Sequence, residues 1–218
     1  MLSLKLIVGS TREGRSADLV LPWLVERVSL HGAFDLEVLD LRDWPLPMFA
    51  ETRETIGDIT DPTYSDPVVR SWNQTIKAGD AFLFLTPEYN HSVTGVLKNA
   101  IDSVFVSYGL RNKPSAAVAY STGIAAGVRA IEHLAHMIIE TDGVPLRNTV
   151  VIPYVLQAFE DDRPKDPVTE AALTVMLDDL AWWGSALQAA RAGGELTPGT
   201  FRLRKIIAER AAEAGRTS

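Results

Sequence analysis

The chain of 218 residues contains no cysteine. That excludes disulfides, thiolate metal sites and a cysteine nucleophile. It has only four histidines, and His31, His133 and His136 fall on predicted helices without a metal-ligand spacing to His91, so no metal site is expected. No apolar run approaches the ~18 residues of a membrane span. The opening Met1-Leu2-Ser3-Leu4-Lys5-Leu6-Ile7-Val8-Gly9 has no basic region ahead of its apolar run. It reads as a strand rather than a signal peptide, and a cytoplasmic location is expected. Positive charge is also scarce: 21 Lys and Arg against 28 Asp and Glu give a formal net charge of −7. A nucleic-acid partner held by general electrostatic attraction is therefore not expected.

What is present suits a folded domain. Apolar residues make up 46% and charged residues 22%, close to soluble globular averages. The length favours one large domain, or one domain with appendages. One charge asymmetry stands out. Residues 200–218 carry Arg202, Arg204, Lys205, Arg210 and Arg216 against Glu209 and Glu213, so this tail is +3 and the remainder −10. The tail is a solvated helix or an arm that binds a partner or a second subunit.

Five apolar runs rich in β-branched residues recur, at 4–8, 36–41, 81–85, 115–120 and 149–155. Near-continuous apolar runs suit strands buried on both faces of a parallel sheet. Helical patterns lie between and after them, at 16–30, 67–78, 94–108, 125–141 and 167–192. The pattern at 94–108 is the clearest, with Val96, Leu97, Ala100, Ile101, Val104 and Phe105 in one stripe. For 167–192, Asp166 is the expected N-cap and Gly193-Gly194 the stop. This alternation predicts an α/β fold, a flavodoxin-like open parallel five-stranded sheet of order 2-1-3-4-5 with helices on both faces. Residues 1–194 form the expected domain and 195–218 a helical C-terminal extension. The stretch 43–67, with Pro45, Pro47, Pro62 and Pro67, is a long loop, either functional or mobile, or a packed surface excursion.

Three loops leave strand ends and enter helices. The first is Gly9-Ser10-Thr11-Arg12-Glu13-Gly14-Arg15-Ser16. Its glycines allow close backbone approach, the following helix start favours an anion, and Ser10, Thr11 and Ser16 add hydroxyls. Arg12 and Arg15 supply planar donors suited to phosphate. The pattern is neither a dinucleotide fingerprint nor a P-loop. The second, Thr86-Pro87-Glu88-Tyr89-Asn90-His91-Ser92-Val93-Thr94-Gly95, can present backbone N–H groups and an aromatic side chain to a flat polar heterocycle. The third, Tyr120-Ser121-Thr122-Gly123-Ile124-Ala125-Ala126-Gly127, is small enough for a ring to lie against. Strands one and three flank the switch point of the predicted sheet. A ligand with a phosphate at one end and a flat ring at the other would span these loops, and FMN has that shape.

At the first loop and at Pro87-Glu88-Tyr89-Asn90-His91-Ser92-Val93-Thr94-Gly95-Val96-Leu97-Lys98-Asn99-Ala100-Ile101-Asp102, the chain resembles the NADPH-dependent FMN reductase family. These are flavodoxin-like quinone, azo, nitro and chromate reductases. The resemblance covers roughly residues 3–190. It implies that Ser10, Arg12 and Ser16 hold the FMN phosphate. It implies that Pro87, Glu88, Tyr89 and Asn90 line the isoalloxazine ring, joined by Ser121, Thr122 and Gly123. Asn90 and Tyr89 become the candidates for an influence on catalysis, since the flavin itself carries the chemistry. Where relatives often have a glycine pair in the third loop, this chain has Ala125-Ala126-Gly127.

The implied activity is electron transfer from NADPH or NADH through bound FMN to a small acceptor, a quinone, an azo or nitro compound, chromate or free flavin. The resemblance also implies a homodimer or homotetramer packed near helix 94–108. Two alternatives stay open: a non-enzymatic flavodoxin-like electron carrier or flavin-binding regulatory module, and a protein that keeps the fold without FMN.

Overall fold

Residues 1–52, 54–57, 62, 64–104 and 106–215 of the computed structural model are described here. Phe105 of the predicted stripe and Arg216 of the tail lie outside them. In chain order the elements are β1 (Leu2–Val8), α1 (Ala17–His31), β2 (Phe34–Asp40), α2 (Pro67–Lys77), β3 (Ala81–Pro87), α3 (Gly95–Asp102) and β4 (Pro114–Tyr120). They continue with α4 (Val128–Glu140), β5 (Val144–Pro145), β6 (Val150–Ile152), β7 (Phe159–Glu160), β8 (Arg163–Pro164), α5 (Pro167–Ala192) and α6 (Gly199–Ala214).

Side-chain parity builds two cores on one sheet. Successive strand residues point to opposite faces. Leu2, Leu4, Leu6 and Val8 of β1 join Ala81, Leu83 and Leu85 of β3 and Ala116, Val118 and Tyr120 of β4 on one side. Helices α1 and α5 close that side through Val20, Trp23, Leu24, Leu173, Met176 and Leu177. Ile7, Phe82, Phe84 and Ala117 face the other way, against Trp72 of α2, Leu97 and Ile101 of α3, and Leu134 and Ile138 of α4. Burial on both faces is what the continuous apolar runs require.

The strand order is β2-β1-β3-β4-β5, all parallel, as the sequence predicts. The fifth position differs in detail. It is shared by two short pieces, β5 against the start of β4 and β6 against its end. The predicted strand 149–155 is shortened to Val150–Ile152, with Pro153 next and Tyr154 in the left-handed region at φ 46°. A small hairpin, β7–β8, also goes unpredicted. Its turn residues Asp161 and Asp162 both have positive φ, at 47° and 58°, the geometry that favours Asp in two-residue hairpins.

Two helices are shorter than predicted, each for a local reason. The pattern at 94–108 yields a helix only to Asp102. Asn73 Nδ2 donates to the Ser103 carbonyl at 2.7 Å, an acceptor that a longer helix would offer to residue 107, and Val104 N turns to the Ile101 carbonyl. The fourth helix starts at Val128 instead of 125, because Ala126 (φ 57°) and Gly127 (φ 91°) are left-handed. The helix at α2 has its N-cap in Asp66, which accepts from Val68 N and Val69 N. Asp166 caps α5, and Gly193-Gly194 follows its end. The loop between β2 and α2 is packed in its described parts: Ile56 and Tyr64 are buried with Val69, and Asn99 clamps Pro47 O and Phe49 N.

Gly127 seats the start of α4 against β4. A Cβ there would come within 2.6 Å of Ala119 Cβ and 2.8 Å of Tyr120 N. Gly127→Ala therefore combines a left-handed penalty with overpacking, and is expected to lower stability by about 2–5 kcal/mol. The urea midpoint at unchanged slope measures it.

Candidate functional site

The carboxyl ends of β1, β3 and β4 meet at the point where the chain reverses its direction across the sheet, a place open α/β sheets leave as a crevice. The loops that follow these strands form one cleft of about 570 Å³, within the usual range for small-molecule sites. Its walls include Ser10, Arg12, Gly14, Arg15, Ser16, Pro87, Glu88, Tyr89, Asn90, Ser121 and Thr122. Gly123 is the one predicted site residue outside the lining. Its N–H and carbonyl bond with Ser121 Oγ, and the carbonyl also accepts from Tyr154 N.

The first loop is held from below. Arg15 is buried, and its guanidinium meets both carboxylate oxygens of Asp40, Asp18 Oδ1 at 2.8 Å and the Ser10 carbonyl. The hydrogen bond to Asp40 raises the Arg15 pKa further above its ordinary range. Burial would push the Asp40 carboxyl up, but Arg15 and the Arg42 N–H together hold it below the usual carboxylate value. Arg15 thus differs from its expected role as a free phosphate donor: it lines the cleft, but its donors are spent on shaping the loop. Arg42, which the sequence reading did not single out, adds a bond to the Arg12 carbonyl.

Arg12 behaves oppositely. It is exposed, has no carboxylate partner among the described residues, and its guanidinium carbon lies 5.7 Å from the centre of the Tyr89 ring. The N–H groups of residues 10–17 donate to no backbone carbonyl among the described residues. Ser16 precedes α1 without a side-chain cap bond. A run of free N–H groups, a helix start and a free arginine together make an anion site.

The second loop is a tight turn. Tyr89 N donates to Ser92 O at 2.8 Å and Ser92 N to Tyr89 O at 3.0 Å. Asn90 and His91 between them sit at φ 48° and 66°, a two-residue turn in which Asn is favoured. Asn90 is exposed on the cleft wall. Glu88 turns its carboxylate away to α4, where it accepts from Arg129 N at 3.2 Å and pairs with the Arg129 guanidinium. Arg129 also reaches His91 at 2.6 Å. It lies 41 positions beyond Glu88, and no motif marks it. Thr94 ties this loop to the first, donating to the Gly9 carbonyl while capping α3 through Leu97 N.

Between loops one and three stands Tyr120, whose buried hydroxyl has no hydrogen-bond partner by distance and angle among the described residues. Burial pushes its pKa well up, so the hydroxyl keeps its proton and can donate it to a hydrogen bond. A second recess of about 400 Å³ adjoins the cleft across Arg12 and Tyr89, with Leu41, Trp44, Leu46, Met48 and Val96 in its walls. Among the described residues there is no cluster of three or more metal-ligating side chains.

The family model described as NADPH-dependent FMN reductase matches residues 3–157. An NAD(P)H-dependent FMN reductase of Schizosaccharomyces pombe is 34% identical over 114 residues, 52% of this chain and 55% of the relative, so the chain spans little more than half of that protein's length. A quinone reductase of Escherichia coli is 26% identical over 148 residues, 67% of this chain and 79% of the relative. Among solved structures, the flavoenzyme NAD(P)H:(acceptor) oxidoreductase FerB of Paracoccus denitrificans superposes with a TM-score of 0.68 at 23% identity, over 85% of this chain and 98% of the other.

The Asp40–Arg15 contact gives a pH signature. Asp40 contributes stability above the ordinary carboxylate pKa of about 3.9, and loses it as pH falls through its lower folded value. Asp40→Asn strands a buried guanidinium that keeps only Asp18 as counter-ion, and is expected to cost roughly 2–3 kcal/mol at pH 7. Denaturant unfolding from pH 7 to pH 3 should show the gap to wild type closing below about pH 4.

Proposed function

The chain belongs to the NADPH-dependent FMN reductase family, and on that footing we propose that it is an FMN-dependent NAD(P)H oxidoreductase acting on a small acceptor. The single observation that carries this reading is the anion site of the first loop: free N–H groups at residues 10–17 beside an unpaired Arg12. The cleft suits FMN on three counts. Its size is appropriate, its phosphate end is rich in donors, and the Tyr120 hydroxyl is a buried donor awaiting an acceptor. When bound, FMN supplies the redox chemistry, taking a hydride equivalent from NADPH or NADH and returning the electrons to an acceptor.

The chain's own residues bind and orient. Arg12, Ser10, Ser16 and the start of α1 hold the phosphate dianion. Arg15 keeps the loop in the shape that aims those donors. Pro87, Glu88, Tyr89 and Asn90 supply the wall for the ring on one side, and Ser121 and Thr122 on the other. Asn90 offers its amide donor and acceptor at the ring edge. Glu88 serves through its backbone, since its carboxylate is held by Arg129. Residues 1–194 make up the cofactor-binding unit and 195–218 the extension. The protein works in the cytoplasm, where both dinucleotides are supplied. Its net charge of −7 supports a small-molecule partner over nucleic acid, and among the described residues no helix is long and apolar enough to cross a membrane. It works as a homo-oligomer, and the inner side of α3 is committed to its own sheet. Leu97, Ala100 and Ile101 of that helix are buried against the sheet.

Two measurements test this reading. Arg12→Ala should weaken FMN binding by about 10–100-fold in a fluorescence titration with the fold intact, and leave riboflavin binding nearly unchanged. Equal loss for both ligands, or for neither, removes Arg12 from the site. Asn90→Gly keeps the left-handed turn and deletes only the amide. Stopped-flow reduction by NADPH and NADH should slow about tenfold, while FMN affinity changes little. A wild-type protein that binds FMN without oxidising either dinucleotide in the presence of a quinone is a carrier, and the enzyme reading fails.

A further inference from the structure

Tyr120 carries a hydroxyl that its own fold does not use. It is the last residue of β4, and β3 and β6 flank it through Pro87 and Ile152. Its carbonyl accepts from Glu88 N at 3.2 Å. Pairing on both sides fixes the backbone, and strand alternation sends the side chain to the α1–α5 side of the sheet. There the ring belongs to the buried cluster that contains Val8, Ala17, Val118, Ile152 and Val155. The residue is 3% exposed and borders the cofactor cleft. Phenylalanine would fill the same space. What tyrosine adds is the hydroxyl, and that atom is buried with no hydrogen-bond partner by distance and angle among the described residues.

Buried polar groups are paired as a rule, and one left alone costs stability. The side chains that act on this hydroxyl are Tyr89, Arg15, Asp18 and Ser10, which places it at the corner where the first loop turns into α1. The acceptors of that corner are already engaged. Arg15 takes the Ser10 carbonyl and Asp18 Oδ1, and Arg42 takes Asp18 Oδ2 at 3.3 Å. Ser10 Oγ lies 3.4 Å from Tyr89 Oη. The partner that completes Tyr120 therefore enters from the cleft.

The surroundings say what that partner is. The N–H groups of residues 10–17 donate to no backbone carbonyl among the described residues, and Arg12 rests on the Tyr89 ring without a carboxylate. A corner made of donors takes a group made of acceptors. A phosphate monoester brings about −1.5 to −2 charge at neutral pH and three strong acceptor oxygens. The other donors all come from the first loop and the start of α1. Tyr120 comes from β4, with β3 between it and β1. A phosphate held by both sets links the ends of two strands that do not pair with each other.

We propose that Tyr120 is a ligand of the FMN phosphate, its hydroxyl donating to one terminal oxygen from the β4 side while the first loop holds the others. This rests on the FMN reading above. The tyrosine keeps its proton throughout, and its role is selection: it favours a flavin that carries a terminal phosphate over one that does not.

Tyr120→Phe removes one oxygen and keeps the ring. FMN and riboflavin are titrated by flavin fluorescence into the apoprotein of variant and wild type, and urea unfolding of both apoproteins is followed by circular dichroism. The Kd for FMN should rise about tenfold or more, and the Kd for riboflavin should change by less than about twofold. The urea midpoint of the apoprotein should hold or rise, because the substitution removes a buried polar atom that the chain leaves unpaired. Equal FMN affinity in variant and wild type overturns the proposal. So does an equal loss for both flavins, which places the hydroxyl at the ring or the ribityl chain. So does a lower midpoint of the apoprotein, which assigns the hydroxyl to folding. A wild-type protein that binds neither flavin fails one step earlier: it removes the FMN reading itself, and this proposal with it, whatever the variant does.

Discussion

The contact between the Asp40 carboxylate and the Arg15 guanidinium fixes the end of β1, and the rest of the site depends on it. Asp40 is the last residue of β2, paired with Val8 at the end of β1. The strand register thus sets its position. Arg15 binds it and the Ser10 carbonyl together. One side chain therefore spans the two ends of the first loop and links both to the neighbouring strand. With that internal anion satisfied, the loop has no further need of a cation, and Arg12 is left facing the cleft. The two arginines divide the work: one sets the shape of the loop and the other presents its charge.

The remaining loops are also fixed from outside the cleft. Thr94 is at once the cap of α3 and a donor to Gly9, so the start of the helix and the end of β1 cannot shift independently. Arg129 on α4 holds Glu88 and His91, and with them the turn that carries Asn90. Left-handed residues cluster here: Asn90, His91, Ala126, Gly14 and Gly127. Each such non-glycine residue costs on the order of 1–2 kcal/mol, and persists only where its surroundings over-determine it. The ties from Arg15, Thr94 and Arg129 are that over-determination. The result is a rigid rim made mainly of backbone, suited to donors that must be in place before a ligand arrives.

Much of this was legible in the sequence. Five apolar runs separated by helical periodicity specify the sheet, because strands buried on both faces leave a pattern few other structures share. The loops that line the cleft follow from it by topology. The errors have physical causes. Arg12 and Arg15 look alike in sequence, and only the fold brings Asp40, 25 residues on, under one of them. Arg129 is invisible for the same reason, lying on a helix whose start is displaced by Ala126 and Gly127. The stripe at 94–108 is real as an apolar pattern: Leu97, Ala100, Ile101 and Val104 are all buried. Periodicity cannot show that Asn73 takes the Ser103 carbonyl, just past the end of the helix at Asp102. Nor does an apolar stripe say what it faces. The inner residues of this stripe cover the sheet, while Val96 on the same helix is 40% exposed.

The division of the cleft into a charged end and a backbone-walled end has a consequence for how it can evolve. The charged end carries Arg12, the hydroxyls of Ser10 and Ser16, and the free N–H groups of the first loop, all anchored through Arg15 and β2. The opposite end rests on the turn at Asn90 and the adjoining recess of Leu41, Trp44, Leu46, Met48 and Val96. The recess walls come mainly from the loop after β2 and from α3, and Asn99 braces the former against the latter. Among the described residues, only Arg12 and Tyr89 border both spaces. Substitutions in the recess, more than about 7–10 Å from shared partners, should act nearly additively with changes at the charged end. Tyr89 and Arg12 are the exceptions, since the guanidinium rests on the ring. Selection on what enters the recess can therefore proceed without disturbing what is held at the first loop, as long as that pair is kept.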